Sequence, residues 1–578
     1  MKTSKLRSGL FSLVAVGVAF CALPMQASAN STILIVNNNA PGGGFNDPTP
    51  RAPVGGNTGT TLGQQRLIAF QHAADIWGAT LDSPVPIRIR AQFAVQTCTA
   101  TSATLGSAGA IYIWRDFPGE QYPNTWYSEA LTNRLYGDDA NPPGDPTDLY
   151  NGADINATFN ARLGTGVGGG GAGCLGGRDF YLGLDNNHGA NIDLVTVLLH
   201  EFGHGLGFQT FTSTSTGAFQ SGSPSVYDLF VHDNTTNKDW LDMTNAERVA
   251  SSINPLNVAW TGANVTAAAP VVLSGTPRLH VNSPAAIAGD YLVGPGDAGP
   301  PLTATGVTGE VVVALDESNG TGLSTTDACT AITNAGAVAG KIALVDRGTC
   351  TFAVKIANVA AAGAIAMLAA DNVAGSPPPG ISVPGATIPS ARITLADGNT
   401  IKGQVGVNAT LGLDASKLAG TDAHGHVLIN TPNPLQPGSS VSHWDPVASR
   451  NLLMEPAING DLTHSVKSPE DLTLAQMRDI GWWPDHDLDG VADGDDQCAN
   501  SVLGGTLAIQ GCQTGVTNTF FTNGCSVVDV VNKCGASAAT HDDFTACVTH
   551  FTNALKGSLI TNKQKGLVQK CASNSSIP

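Results

Sequence analysis

The segment His200-Glu201-Phe202-Gly203-His204 has the residue types and spacing that most directly support chemistry in this chain. Histidines four apart on a helix share one face, so both imidazoles can ligate a single Zn²⁺. The glutamate between them can then take a proton from a water acidified by the metal, as attack on a peptide carbonyl requires. Two histidines leave a tetrahedral ion short of protein ligands. The third must come from elsewhere, and His188, His232, His424, His426, His443 and His464 are the candidates. A second constellation, Asp485-x-Asp487-x-Asp489-Gly490-x-x-Asp493-x-x-Asp496, follows the ligand order of a calcium loop, with Asp in place of Glu at its end. Ca²⁺ there would be structural, stiffening a linker.

Both constellations need elements to hold them. Asn191 can cap a helix running through Ile192, Val195, Leu198 and Leu199, which would carry the histidine motif. Upstream, the patterns predict a strand over 33–36, a helix over 62–77 and a strand over 85–93, the start of an α+β or α/β unit. Between 268 and 415 the composition shifts to Val, Ala, Gly and Pro. Short apolar runs such as Val311-Val312-Val313 and Ile342-Ala343-Leu344-Val345 mark that stretch as a separate domain. Beyond the acidic stretch, 512–571 has helical spacing bracketed by cysteines, a small core stapled by disulfides.

Lys2, Lys5 and Arg7, an apolar run and Ala27-Ser28-Ala29 predict a secretory signal peptide cut after Ala29, hence a secreted protein, extracellular or at the cell surface. No later stretch suits a transmembrane anchor. Basic residues number 28 against 46 acidic ones, a formal charge of −18, which excludes nucleic acid as an expected partner. Once Cys21 leaves with the signal the cysteine count is even. The remainder fall into even groups, Cys98 with Cys174, Cys329 with Cys350, and a set from Cys498 to Cys571, as disulfide chemistry in an exported chain requires.

The run His200 to Gly207 resembles the metzincin metalloproteases, in which a glycine turn brings in a third ligand three residues on. Here that position is Thr210, not a usual zinc ligand. Ser442-His443-Trp444, then Asn451-Leu452-Leu453-Met454-Glu455-Pro456, then Leu472 to Trp482 resemble leishmanolysin, a metzincin whose third histidine is displaced by an insertion. The resemblance implies His443 as third ligand, Met454 as the methionine turn beneath the metal, and protein or peptide substrates. His232, nearest the vacant position, is the alternative. Asp346-Arg347-Gly348-Thr349-Cys350-Thr351-Phe352 with Lys355 to Ala364 resembles the protease-associated (PA) domain, a small β-rich module without catalytic residues, and implies a Cys329 to Cys350 bridge. The acidic stretch with Cys498 resembles a thrombospondin type 3 repeat.

The expected layout is therefore a signal peptide (1–29) and an α+β, metzincin-like catalytic domain in two parts (30–267 and 416–484). A β-rich PA-like domain (268–415) interrupts it. A calcium repeat (485–498) and a cysteine-rich helical tail (499–578) follow. The expected activity is that of a zinc metalloendopeptidase. A secreted calcium-dependent binding or adhesive protein on an inactive scaffold is the competing reading, and Thr210 is the residue that favours it.

Overall fold

Ile87, Ile89, Ala91 and Phe93 alternate along one strand, Ile87–Ala94, and all four side chains are buried on the same face. In the computed structural model this strand is central to a four-stranded sheet. It pairs in parallel with Ile33–Asn37 and Ile155–Asn160, and Gly106–Ala110 runs antiparallel at the open edge. The structure describes residues 31–145, 148–163, 173–294, 298–318, 324–376, 378–383, 385–483, 496–498, 500–501, 505–521, 523–556 and 559–577. The signal segment and Asp485, Asp487, Asp489 and Asp493 lie outside those residues. Asp496 is described, and its carboxylate accepts the Cys498 N–H at 2.7 Å.

Helix Leu62–Gly78 starts where the Thr61 hydroxyl accepts the Gln64 N–H, and it buries Phe70, Ala73, Ala74 and Trp77. The Trp77 indole N–H donates to the Leu199 carbonyl at 3.1 Å, tying this helix to the one that carries the histidines. That second helix, Leu194–Leu206, begins later than a cap at Asn191 requires. Ile192 and Asp193 instead form a short parallel bridge with Phe180 and Tyr181. The Asp193 carboxylate then caps the helix by accepting the Thr196 N–H at 2.7 Å. The cap moved because Ile192 is satisfied in a strand pair, an interaction distant in sequence.

Helix Ala263–Val272 packs Val265, Ala269 and Val272 into the first core, so the inserted sheet starts after it, at Gly275. That sheet has seven strands. Its entering strand Gly275–Ser283 and its leaving strand Asn408–Leu418 pair antiparallel with each other. The module is less purely β than the resemblance implies. Val307–Val313, Ile342–Asp346, Ala366–Ala370 and Ser390–Ile393 are parallel; helix Phe352–Ala361 connects the second to the third, and helix Leu395–Lys402 leads from the last to Asn408–Leu418. Continuous apolar runs such as Ala366 to Ala370, buried at every position, are what a parallel sheet covered on both faces demands.

Because the insertion's ends pair with one another, the host fold closes around it. Val258–Trp260 and Val427–Leu428, from opposite sides of the insertion, pair antiparallel. Asp479, at the end of helix Thr473–Asp479, makes a second joint. One carboxylate oxygen accepts the Trp260 indole N–H at 2.8 Å and the Val265 N–H at 3.2 Å. The other accepts the Asn264 backbone and side-chain N–H groups at 2.8 and 3.0 Å. Asp479→Ala would strand these buried donors, a loss of about 3 kcal/mol. At ~2–4 °C per kcal/mol, the thermal midpoint of the unit that carries the histidine helix should fall by about 6–12 °C. An unchanged midpoint in differential scanning calorimetry would remove Asp479 from this role.

The tail forms a hairpin, Thr506–Ile509 with Cys512–Thr517, packed on three helices. Its cysteines pair as Cys498–Cys525, Cys512–Cys571 and Cys534–Cys547. Cys98 bonds Cys174, and Cys329 bonds Cys350. Among the described residues no helix is long and apolar enough to cross a membrane.

Candidate metal centre

His200, Glu201 and His204 are all buried on the helix Leu194–Leu206, at the floor of a cleft of about 820 Å³. The helix ends at Gly207, whose φ of +131 would strain any other residue; a Cβ there would also lie 2.5 Å from Ile480 Cδ1, which would have to shift. The chain turns at that point. His443 arrives from beyond the insertion, and the ligating atoms of His200, His204 and His443 all lie within 4.8 Å of one another. His204 Nε2 is 3.2 Å from His200 Nε2 and 3.2 Å from His443 Nε2.

Each ring is fixed through its other nitrogen. His200 Nδ1 bonds the Leu453 carbonyl at 2.7 Å, His204 Nδ1 the Phe208 carbonyl at 2.8 Å, and His443 Nδ1 the Ser439 carbonyl at 2.8 Å. A carbonyl only accepts, so each Nδ1 carries the proton and each neutral ring turns an Nε2 lone pair inward. Three facing lone pairs repel one another unless a cation lies between them. Zn–N bonds of about 2.0–2.1 Å put tetrahedral ligands about 3.4 Å apart, close to the spacing here, so these residues fit a zinc ion.

Burial favours the neutral rings. It lowers His200 to about 4; burial and then the neighbouring His200 lower His204 to about 3; His443 falls well below its ordinary value for the same reasons. In the unfolded chain these histidines take protons near pH 6.5, whereas in the fold they take them only far below it. Their contribution to stability is therefore full above about pH 6.5 and is lost as pH falls toward 4 and 3. The thermal midpoint of metal-stripped protein should drop between pH 7 and pH 4 more steeply than that of a His200→Ala/His204→Ala double variant. Parallel curves would refute this linkage.

Among the described residues, Glu201 is the one carboxylate lining the cleft. Burial pushes its pKa up to about 8, against the pull of the Ala108 N–H that it accepts. Ala108 belongs to the edge strand Gly106–Ala110, whose small residues line the same cleft. Met454 is fully buried beside the helix; its sulfur lies 2.9 Å from where a Cβ on Gly203 would stand, so Gly203 makes its space. The turn around it is held by buried acids. Glu455 accepts the Leu452 N–H at 2.8 Å, and Asp471 accepts the Leu453 N–H at 2.7 Å, which aims the Leu453 carbonyl at His200.

Thr210 has another task. Its hydroxyl donates to buried Asp228 at 2.5 Å, alongside Thr212 at 2.7 Å, and its N–H meets the Ser442 hydroxyl oxygen at 3.3 Å. It thereby ties the chain after Gly207 to the residue preceding His443. His232 lies away from the cluster, on Val231–Asp233, with Nδ1 2.7 Å from Asp239. His188 bonds the Asn191 carbonyl, His426 faces Asp422, His464 faces Asp193, and His424 lies on the exposed turn beside His426. The supporting acids Asp228 and Asp471 carry no spacing signature and are legible only in the structure.

Residues 307–401 match the PA domain family. No curated protein matches the chain. Among solved structures, a zinc aminopeptidase from Bacillus subtilis is 23% identical, covering 25% of this chain and 31% of that one, with a TM-score of 0.19. An aminopeptidase from Aneurinibacillus sp. strain AM-1 is 19% identical over 25% and 31%, with a TM-score of 0.18. A psychrophilic subtilisin-like protease, Apa1, from the Antarctic psychrotroph Pseudoalteromonas sp. AS-11 is 20% identical over 25% and 34%, with a TM-score of 0.19. The chain spans about a third of the length of each. These scores carry no assignment of fold or activity to the whole chain.

Proposed function

We propose that this protein is a secreted zinc-dependent endopeptidase of the leishmanolysin-like metzincin type. In this reading His200, His204 and His443 hold the metal, Glu201 is the general base, and Met454 is the methionine turn. The observation that carries it is the convergence of three Nε2 lone pairs whose rings have each committed the Nδ1 proton to a backbone carbonyl. When bound, zinc supplies Lewis acidity, lowering the pKa of water and polarising the scissile carbonyl. Glu201 takes the attacking water's proton and returns it to the departing amine nitrogen. The edge strand Gly106–Ala110, unpaired on its outer side among the described residues, offers backbone groups to an extended peptide. Its small side chains leave that approach open.

An inactive binding scaffold would place no demand on a buried base beside two metal ligands. Thr210, the residue that favoured it, is engaged by Asp228. Zinc stoichiometry together with a casein-type peptidase assay on purified protein separates the two readings. One zinc per chain with metal-dependent proteolysis is expected, and a chain that binds no zinc and cleaves nothing would overturn the proposal.

Asp485, Asp487, Asp489, Asp493 and Asp496 are proposed, on their sequence, to hold a structural Ca²⁺ between the catalytic unit and the tail. Chelation followed by restoration of zinc alone should raise proteolytic nicking near Asp489. Unchanged nicking would remove the ion from the linker.

A further inference from the structure

Outside the cleft, the most unusual chemical grouping is in the PA domain. Lys355, on helix Phe352–Ala361, is fully buried. Its ammonium donates to the Asp327 carbonyl and approaches Cys329 Sγ at 3.5 Å. The same sulfur accepts the Cys350 backbone N–H at 3.3 Å. Cys350 Sγ receives no hydrogen bond among the described residues. The two halves of this disulfide therefore differ: one sulfur has two donors, one of them charged, and the other has none. Both cysteine residues are partly exposed to solvent.

A disulfide sulfur is a weak acceptor and a thiolate a strong one, so donors at one sulfur stabilise the reduced form more than the oxidised form. They also decide which sulfur leaves, because exchange favours departure of the better-stabilised thiolate. We propose that Cys329–Cys350 is a thiol-exchange site at which a low-molecular-weight thiol becomes attached to Cys350 and Cys329 departs as a thiolate held by Lys355. The incoming thiolate attacks Cys350 Sγ and forms a new S–S bond. The Cys329–Cys350 bond breaks and its electron pair stays on Cys329. The small thiol's sulfur is oxidised, Cys329 is reduced, and no further oxidant is needed. Asp327, Asp316 and Asp346 surround Lys355 and oppose the lowering of its pKa by burial, which helps keep it charged.

The product cuts the covalent tie from Cys350 to the loop that Lys355 and Asn358 still hold through the Asp327 and Ala328 carbonyls, giving the PA domain two covalent states. The proposal does not depend on zinc or on peptidase activity. Full-length protein incubated with reduced glutathione at pH 7, quenched with N-ethylmaleimide and digested for peptide mass spectrometry tests it. Glutathione should be found on Cys350 at least tenfold more than on Cys329, and this pair should open before Cys98–Cys174 and the tail pairs. Freed Cys329 should reach half-maximal alkylation by iodoacetamide at least one unit below the ordinary thiol pKa of about 8.5. Lys355→Met should abolish both the bias and the lowered alkylation midpoint, while Lys355→Arg keeps them. An even distribution, glutathione on Cys329, or an unopened Cys329–Cys350 pair in the wild type would overturn the proposal. The wild-type result decides the matter even if Lys355→Met fails to fold.

Discussion

Glu201→Gln is expected to keep one zinc per chain and lose peptidase turnover by about 10²–10⁴-fold, the range attributed to a positioned general base. The change is nearly isosteric. The amide oxygen can still accept the Ala108 N–H, so the helix and its histidines should stay in place. What is lost is the one group of this helix able to take a proton from water and give it back, since an amide does neither. Metal analysis and a casein-type assay on the same preparation give both numbers. Retained turnover with zinc bound would exclude Glu201 as the base. Retained zinc with lost turnover would separate the base from the ligands.

His443→Ala should lose both zinc and activity, while His232→Ala keeps both. His443 Nε2 sits 3.2 Å from His204 Nε2, and its ring is held by the Ser439 carbonyl; His232 is engaged with Asp239 on a separate strand. Removing one of the three proposed ligands would leave the ion with too few donors, whereas removing His232 costs one partly exposed hydrogen bond to Asp239. Inductively coupled plasma mass spectrometry on both variants checks the pair. Loss of zinc in His232→Ala with retention in His443→Ala would move the third ligand.

The locally encoded parts of the site were legible in the sequence. Histidines spaced four apart share a face on any helix, so His200, Glu201 and His204 could be grouped before any fold was known. The buried alternation of Ile87–Ala94, the apolar run at the start of Ile342–Asp346 and the helical spacing of Leu62–Gly78 were also legible locally. The expected cap at Asn191 was wrong because Ile192 finds a strand partner at Phe180, which no local pattern announces.

Tertiary structure decided the rest. Whether His443 or His232 approaches His204 depends on how the two strands flanking the insertion pair, Val258–Trp260 with Val427–Leu428, and on the Asp479 joint. Those contacts span more than 160 residues, and side-chain spacing carries no information over such a distance. The use of Thr210 likewise became clear only with Asp228 beside it. The sequence by itself determined the chemistry available to this protein: a two-histidine helix with a base, a candidate third ligand, and an even set of cysteines. The fold determined which of those groups meet, because convergence in space follows from long-range pairing and burial.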